Sequence, residues 1–275
     1  MWLYVYNNLA SISARFGGGL LLINASNTKR RQLVVGNWKM NGNRQENAAL
    51  LAQILSGWPG QSPVQVVICP PFPYLYQVRD ALQGSAIELG AQNVNEEEKK
   101  GALTGEVSAH MLADMDCKFA IIGHNERRRL QGETDDRVAR KFIAAQHAGL
   151  IPILCIGESV AQRDQGLHLQ VISRQLNAVI EVVGLDAFAN AVVAYEPVWA
   201  VGTGKTATPV QAQEVHRHIR QQLGQYAESV RVLYGGSVKA HNAKELFALP
   251  DIDGALLGGA SLDAQEFLTI CSAAI

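Results

Sequence analysis

The chain has 275 residues, 48% of them hydrophobic and 18% charged, with a formal net charge of -1. That apolar share can fill a large core and excludes a disordered chain. The balanced charge, without an acidic or basic tail, gives no electrostatic footing for nucleic acid or an anionic membrane surface. No apolar run approaches the roughly 20 residues of a membrane-spanning helix.

Residues 1–31 stand apart from the rest. They contain no Asp or Glu, carry Arg15, Lys29, Arg30 and Arg31, and place Gly17-Gly18-Gly19 ahead of Leu20-Leu21-Leu22-Ile23. An acid-poor leader of this kind fits an organellar transit peptide. It lacks the basic n-region and small-residue cleavage site of a secretory signal. The expectation is an N-terminal extension, from an alternative start site or vector-derived, that is poorly ordered or packs outside the domain.

From residue 32 onward a short apolar run, a polar or Gly-bearing loop and a helical stretch alternate. The apolar runs are 33–38, 64–69, 87–91, 119–122, 151–156, 191–195, 230–233 and 254–257. Several are continuous Val/Ile/Ala runs, as expected of parallel strands covered on both faces. Helical periodicity falls at 45–56, where Ala48, Leu51, Ala52 and Leu55 share a face, and at 136–148 and 160–183. Another helix opens at Ala207-Thr208-Pro209, with Thr208 as N-cap and Pro209 in the first turn. Repeated β-then-α units of this length predict a single (β/α)8 barrel over 32–275. A doubly wound open sheet is the alternative, since periodicity does not prove closure. The four cysteines, Cys69, Cys117, Cys155 and Cys271, show no metal-ligand or CxxC spacing. They read as reduced core thiols of a cytoplasmic protein.

A barrel of this type carries its chemistry on the loops that follow its strands, and unusual polar residues do gather there. After the first run comes Asn37-Trp38-Lys39-Met40-Asn41-Gly42, and after the fourth Gly123-His124-Asn125-Glu126-Arg127-Arg128. The sixth ends in Tyr195-Glu196-Pro197-Val198-Trp199-Ala200-Val201-Gly202-Thr203-Gly204-Lys205-Thr206. The last two give Tyr234-Gly235-Gly236-Ser237 and Gly258-Gly259-Ala260-Ser261.

Each residue has a bland reading: Lys39 as a solvated charge, His124 as a hydrogen-bonded structural histidine, Glu196 as a strand end before Pro197. Convergence on one mouth favours the functional one. A cation at Lys39 would bind an anionic substrate. A helix N-terminus after His124 would favour a neutral imidazole. Glu196, beside an apolar segment, is placed for a raised pKa and proton abstraction. The glycine pairs after the last two strands suit a phosphate site of backbone N–H groups. Gly204-Lys205-Thr206 ends like a P-loop, but the position needing the motif's first Gly is Trp199. Nucleotide phosphotransfer is therefore excluded, and the segment reads as a Gly-hinged lid with an apolar tip.

These segments, in order and at this spacing, resemble the signature of the triosephosphate isomerase family across 32–275. The resemblance implies a cofactor-free, metal-free isomerase of glycolysis and gluconeogenesis acting on triose phosphates. Glu196 would be the base, His124 the neutral electrophile, and Lys39 the stabiliser of the enediolate, with Asn37 orienting the substrate and Glu126 pairing with Lys39. Phosphate would lie against Gly202, Ser237, Gly258 and Gly259. The lid, including Trp199, would be latched by Tyr234 and Ser237 onto Gly204 and Ala207. Gly101-Ala102-Leu103-Thr104-Gly105-Glu106 resembles the loop that joins two subunits of a homodimer, bringing Thr104 near Lys39. One position departs: the family usually carries Ser where this chain has Asn125, a longer amide with two donors and an acceptor. A barrel isomerase of phosphoribosyl substrates and a non-catalytic scaffold barrel are the remaining alternatives.

Overall fold

The computed structural model describes residues 30–200 and 207–275. The strands are β1 (Leu33–Asn37), β2 (Gln65–Cys69), β3 (Ile87–Ala91), β4 (Phe119–Ile122), β5 (Ile151–Ile156), β6 (Val192–Tyr195), β7 (Arg231–Tyr234) and β8 (Gly254–Leu257). All pair in parallel, each with the next, and β8 returns to β1 with Leu33 opposite Gly254 and Gly36 opposite Leu257. The barrel is closed, so the open-sheet alternative falls. Its expected strands agree with the observed ones to within one residue at each end.

The helices are α1 (Arg44–Gly57), α2 (Leu75–Leu82), α3 (Ala109–Asp114), α4 (Asn125–Leu130), α5 (Asp135–His147), α6 (Val160–Asp164), α7 (His168–Val183), α8 (Pro209–Leu223), α9 (Ala240–Phe247) and α10 (Ala264–Ala273). The single helix read over 160–183 is two. Gly166, at φ +72°, breaks it between α6 and α7, in a left-handed turn that costs glycine little. Helix α8 starts as read. Thr208 caps it in a capping box with Gln211, and Pro209 opens it, an arrangement worth about 1 kcal/mol.

The two-residue period of the strands sorts side chains into two layers. Leu33, Val35, Val67, Phe119, Ile121, Ile153, Val192 and Leu233 fill the barrel interior. Their neighbours Val34, Val66, Ile68, Ala120, Ile122, Leu154 and Val193 face outward, under Leu51, Val78, Phe142, Leu176 and Ile219 of the helices. Each fully buried Leu, Ile, Val or Phe contributes about 1.5–3 kcal/mol. Burial on both faces explains the unbroken apolar runs.

At the N-terminal side, residues 1–29 of the expected extension lie outside the described residues. Arg30 is described: its guanidinium donates to Asp253 at 2.7 Å, to Glu228 at 2.9 Å and to the Pro250 carbonyl at 2.8 Å. The chain thus meets the barrel before β1 begins.

Candidate active site

The strand ends bring Lys39, His124 and Glu196 to one mouth. Asn37 ends β1, and its side-chain oxygen accepts the Lys39 amide at 3.0 Å, holding Lys39 at φ +53°. A non-glycine residue rarely adopts that conformation without such support. Gln92, just past β3, adds to it by donating at 2.9 Å to the carbonyls of both Lys39 and Cys69. The turn aims the ammonium inward. It meets Glu126 at 2.5 Å, as expected, and its stem passes Gly258, where a Cβ would lie 3.1 Å from Lys39 Cε.

His124 caps α4, and its Nδ1 accepts the Glu126 amide at 3.3 Å. The ring proton therefore sits on Nε2, 2.9 Å from Glu196 Oε1. Glu196 is 1% exposed. Its Oε2 accepts the Asn125 amide at 2.9 Å, and its Oε1 accepts Asn125 Nδ2 at 2.7 Å. The residue that departs from the family thus holds the carboxylate through both its backbone and its side chain. Glycines make room for it. A Cβ at position 157 would lie 1.9 Å from the Glu196 carbonyl oxygen, and one at position 235 would lie 2.8 Å from its Cγ.

The electrostatics correct one expectation. Glu196 does not have a raised pKa in this arrangement. Burial would raise it, but the facing His124 and the two Asn125 donors together pull it below the usual glutamate value. For His124, burial acts downward, but the Glu196 charge and hydrogen bond prevail and the net shift is upward. That pull lasts only while the carboxylate faces the ring. The Glu126 amide on Nδ1 opposes a second proton throughout.

Beside these residues the two glycine loops wall a cavity of about 210 Å³, lined by Asn37, Lys39, His124, Glu196, residues 235–239 and residues 256–260. After β8 the chain turns into a 3-10 helix, Gly259–Leu262, with Ser261 bonded back to the Gly258 carbonyl. Amides at such a turn and at Gly235–Gly236 suit an anion. Ser237 Oγ donates to the Ala200 carbonyl at 3.1 Å, joining this loop to the lid base. The buried Tyr234 hydroxyl has no hydrogen-bond partner among the described residues. Gly202 and Gly204, which the sequence places in phosphate binding and latching, lie outside the described residues.

Several contributors escaped the sequence reading. Glu158, fully buried just past β5, accepts Tyr195 Oη at 3.0 Å, Trp199 Nε1 at 2.8 Å and Arg163 at 3.3 Å. It follows an apolar run, so the same strand-end rule would have found it. Gln92 obeys that rule too. His216 of α8, whose ring packs against Tyr195 and Tyr234, carried no such signal. Among the described residues no group of three His, Cys, Asp or Glu side chains is placed to hold a metal ion.

A closed barrel whose mouth sets a lysine, a histidine and a glutamate beside a glycine-walled anion cavity is an acid–base enzyme of the phosphate-handling barrel class. Within that class, the chain belongs to the triosephosphate isomerase family: the model described as Triosephosphate isomerase matches residues 32–274. Proteins named triosephosphate isomerase from Thiobacillus denitrificans and Alcanivorax borkumensis are each 57% identical to it over 249 residues. That of Nitrosococcus oceani is 55% identical over 249 residues. Each alignment covers 89% of this chain and 99% of the relative. The chain is therefore an isomerase. Membership also decides against the phosphoribosyl-isomerase alternative.

Proposed function

We propose that this chain interconverts dihydroxyacetone phosphate and D-glyceraldehyde 3-phosphate, the step shared by glycolysis and gluconeogenesis. The observation that carries the reading is the convergence of Lys39, His124 and Glu196 on one cavity that the two glycine loops complete. Phosphate binds the amides around Ser237, Gly258 and Gly259, with Gly202 joining from the lid, and takes no part in the bond changes. Its binding energy is free to close the lid and align the reacting carbons.

Glu196 then leaves Asn125 and His124 for the substrate. Without those donors, burial dominates its pKa and it becomes a competent base. It takes the proton from the hydroxyl-bearing carbon while the carbonyl oxygen, hydrogen-bonded by His124 Nε2–H, gains the negative charge, giving an enediolate beside the Lys39 ammonium. Asn37 keeps the Lys39 turn in place and faces the same cavity. His124 moves the proton between the oxygens, and Glu196 returns its proton to the neighbouring carbon. Neutral imidazole suits a group that both gives and takes a proton here.

The test is isomerisation of glyceraldehyde 3-phosphate coupled to NADH oxidation by glycerol-3-phosphate dehydrogenase. Turnover is the expected result. A folded protein with none overturns the reading and leaves the scaffold alternative.

Asn125 sets the second expectation. Its Nδ2 bond must break before Glu196 can reach substrate, and it stabilises the charged form. The shorter Asn125→Ser weakens that hold by about 1 kcal/mol, so turnover rises roughly five-fold. The acid limb of the kcat/KM profile moves to higher pH, because a lost donor lets the Glu196 pKa rise. An unchanged rate and profile would refute a restraining role for Asn125.

We also place the protein in the cytoplasm, as a homodimer joined through residues 101–106. In support, all four cysteines are buried free thiols, and no described helix is long and apolar enough to cross a membrane. Residues 101–106 are all exposed, Leu103 at 44%. A cleft of about 710 Å³ beside Lys39, lined by Met40, Phe72, Gln92 and Arg127 among others, has the size to take that loop from a second copy. Sedimentation should give twice the chain mass.

A further inference from the structure

The loop after β7 runs through Ser237 into α9, and Lys239 is its last residue before that helix. Lys239 is exposed and lines the same cavity as Lys39, His124 and Glu196. Its backbone is already engaged. The amide donates to Asn242 Oδ1 at 2.8 Å, and the carbonyl accepts the Asn242 and Ala243 amides at 3.1 and 3.0 Å. The next amide, that of Ala240, is taken by Glu266 Oε1 at 2.9 Å. What Lys239 has left for an anion is its ammonium, with three donors and no carboxylate partner among the described residues.

The charges around the cavity give that ammonium a task. Its lining carries two lysines, Lys39 and Lys239, and one carboxylate, Glu196. Lys39 is paired with Glu126 at 2.5 Å, so its charge is largely offset before any ligand arrives. Glu196 is held below the usual glutamate range and is ionised. Without Lys239 these groups turn a net negative mouth toward an approaching phosphodianion. Lys239 restores the balance, and does so beside the phosphate loop: it stands two residues from Ser237, at most about 7 Å of chain. That is inside the roughly 8 Å over which physiological salt leaves a charge felt.

We propose that Lys239 is a substrate-capture residue: its ammonium draws the phosphodianion to the amides around Ser237, Gly258 and Gly259 and takes no part in the bond changes. This rests on the isomerase reading above. It divides the work between two lysines, Lys39 at the enediolate and Lys239 at the entry of the phosphate.

The experiment measures kcat and kcat/KM across ionic strength, and the Kd of inorganic phosphate, for wild type, Lys239→Gln, Lys239→Arg and Lys239→Glu. Gln has nearly the helix propensity of Lys, so its effect reads the charge and not the start of α9. At low salt, Lys239→Gln should lower kcat/KM about five-fold with kcat within about two-fold, as loss of a steering charge requires. Lys239→Glu should lower it about twenty-five-fold, because it reverses the charge instead of removing it. Lys239→Arg should match wild type. High salt should close these gaps to within about two-fold, since it screens exposed charges. Phosphate should bind Lys239→Gln about five-fold more weakly than wild type at low salt.

A Lys239→Gln protein equal to wild type at low salt overturns the proposal. So does a deficit that salt leaves unchanged, or one that Lys239→Arg shares, because either would mark a structural role. Failure of Lys239→Gln to fold would overturn it on the same ground. Absence of isomerisation by wild type would instead overturn the functional reading on which the proposal stands.

Discussion

Glu196→Gln should lower kcat by roughly 10²–10⁴-fold, the usual contribution of a positioned general base, with KM changed far less. In the proposed mechanism the phosphate is held by amides around Ser237, Gly258 and Gly259, none of which the substitution touches. What the amide cannot do is take a proton from carbon. A coupled assay in both directions measures the loss, and a residual rate within ten-fold of wild type would show that another group is the base.

The same substitution tests the electrostatics. Three donors face the two Glu196 oxygens: the Asn125 amide, Asn125 Nδ2 and His124 Nε2. A neutral side chain with its own N–H₂ must oppose one of them, at about 1–3 kcal/mol. It also removes the charge that holds the His124 pKa up, so that pKa should fall when followed by NMR. The stability profile has a definite sign. Glu196, depressed in the folded state, contributes stability that is present above its unfolded pKa and lost as pH falls through the lower folded value. The variant has no such increment, so the two unfolding curves should converge on acidification.

These interactions mark where sequence reading stops. The strands were legible because parallel strands buried on both faces leave continuous apolar runs, and their ends differ by single residues. Trp38 reads as strand and is 1% exposed; its amide still bonds the Cys69 carbonyl at 3.1 Å, and β1 ends just before it as the chain enters the left-handed turn at Lys39. The site was legible because polar residues follow those runs. Lys39 with Glu126 was an expected pair and is found as such, and Asn125, the departing position, is found bonded to Glu196. The direction of the Glu196 pKa was not legible. Its neighbours in the chain are apolar and argue for a raised value, whereas its donors come from the start of α4, 71 positions earlier. His216 was illegible for the same reason: only the closed barrel brings β6, β7 and α8 together around it. Gly166 is a different case, since a glycine inside a helical pattern is a visible break signal.

A second large effect is expected away from the mouth. Lys141, 1% exposed on α5, donates to Glu133 and, at 2.7 Å, to Asn93. Glu133 Oε1 also accepts Arg127 Nε at 2.5 Å, while its Oε2 has no hydrogen-bond partner among the described residues. Burial raises the Glu133 pKa, but Lys141 first and Arg127 next bring it below the usual value; burial lowers that of Lys141 despite Glu133. The lowered pKa keeps the Glu133 carboxylate ionised at neutral pH. Lys141→Met matches the stem but leaves the fully buried carboxylate only the part-exposed Arg127 as partner, at about 3–5 kcal/mol. For a chain of this size that lowers Tm by on the order of 10 °C.

The consequence reaches the active site through Arg127, which sits in α4, the helix that His124 caps and Asn125 begins. A loosened Glu133 loosens that helix, so kcat/KM should fall with stability instead of remaining at the wild-type level. Two further results would separate a stranded charge from a simple cavity. The deficit should shrink as pH falls, because the folded-state pKa of Glu133 in the variant lies above its unfolded value. Its penalty is then present above the unfolded pKa and vanishes below it. Adding Glu133→Gln should recover much of the lost stability by removing the charge itself. Thermal unfolding of both single variants and the double variant between neutral and acidic pH makes the comparison. Additive losses at every pH would mean that packing, and not the buried ion pair, holds α4 beneath the catalytic histidine.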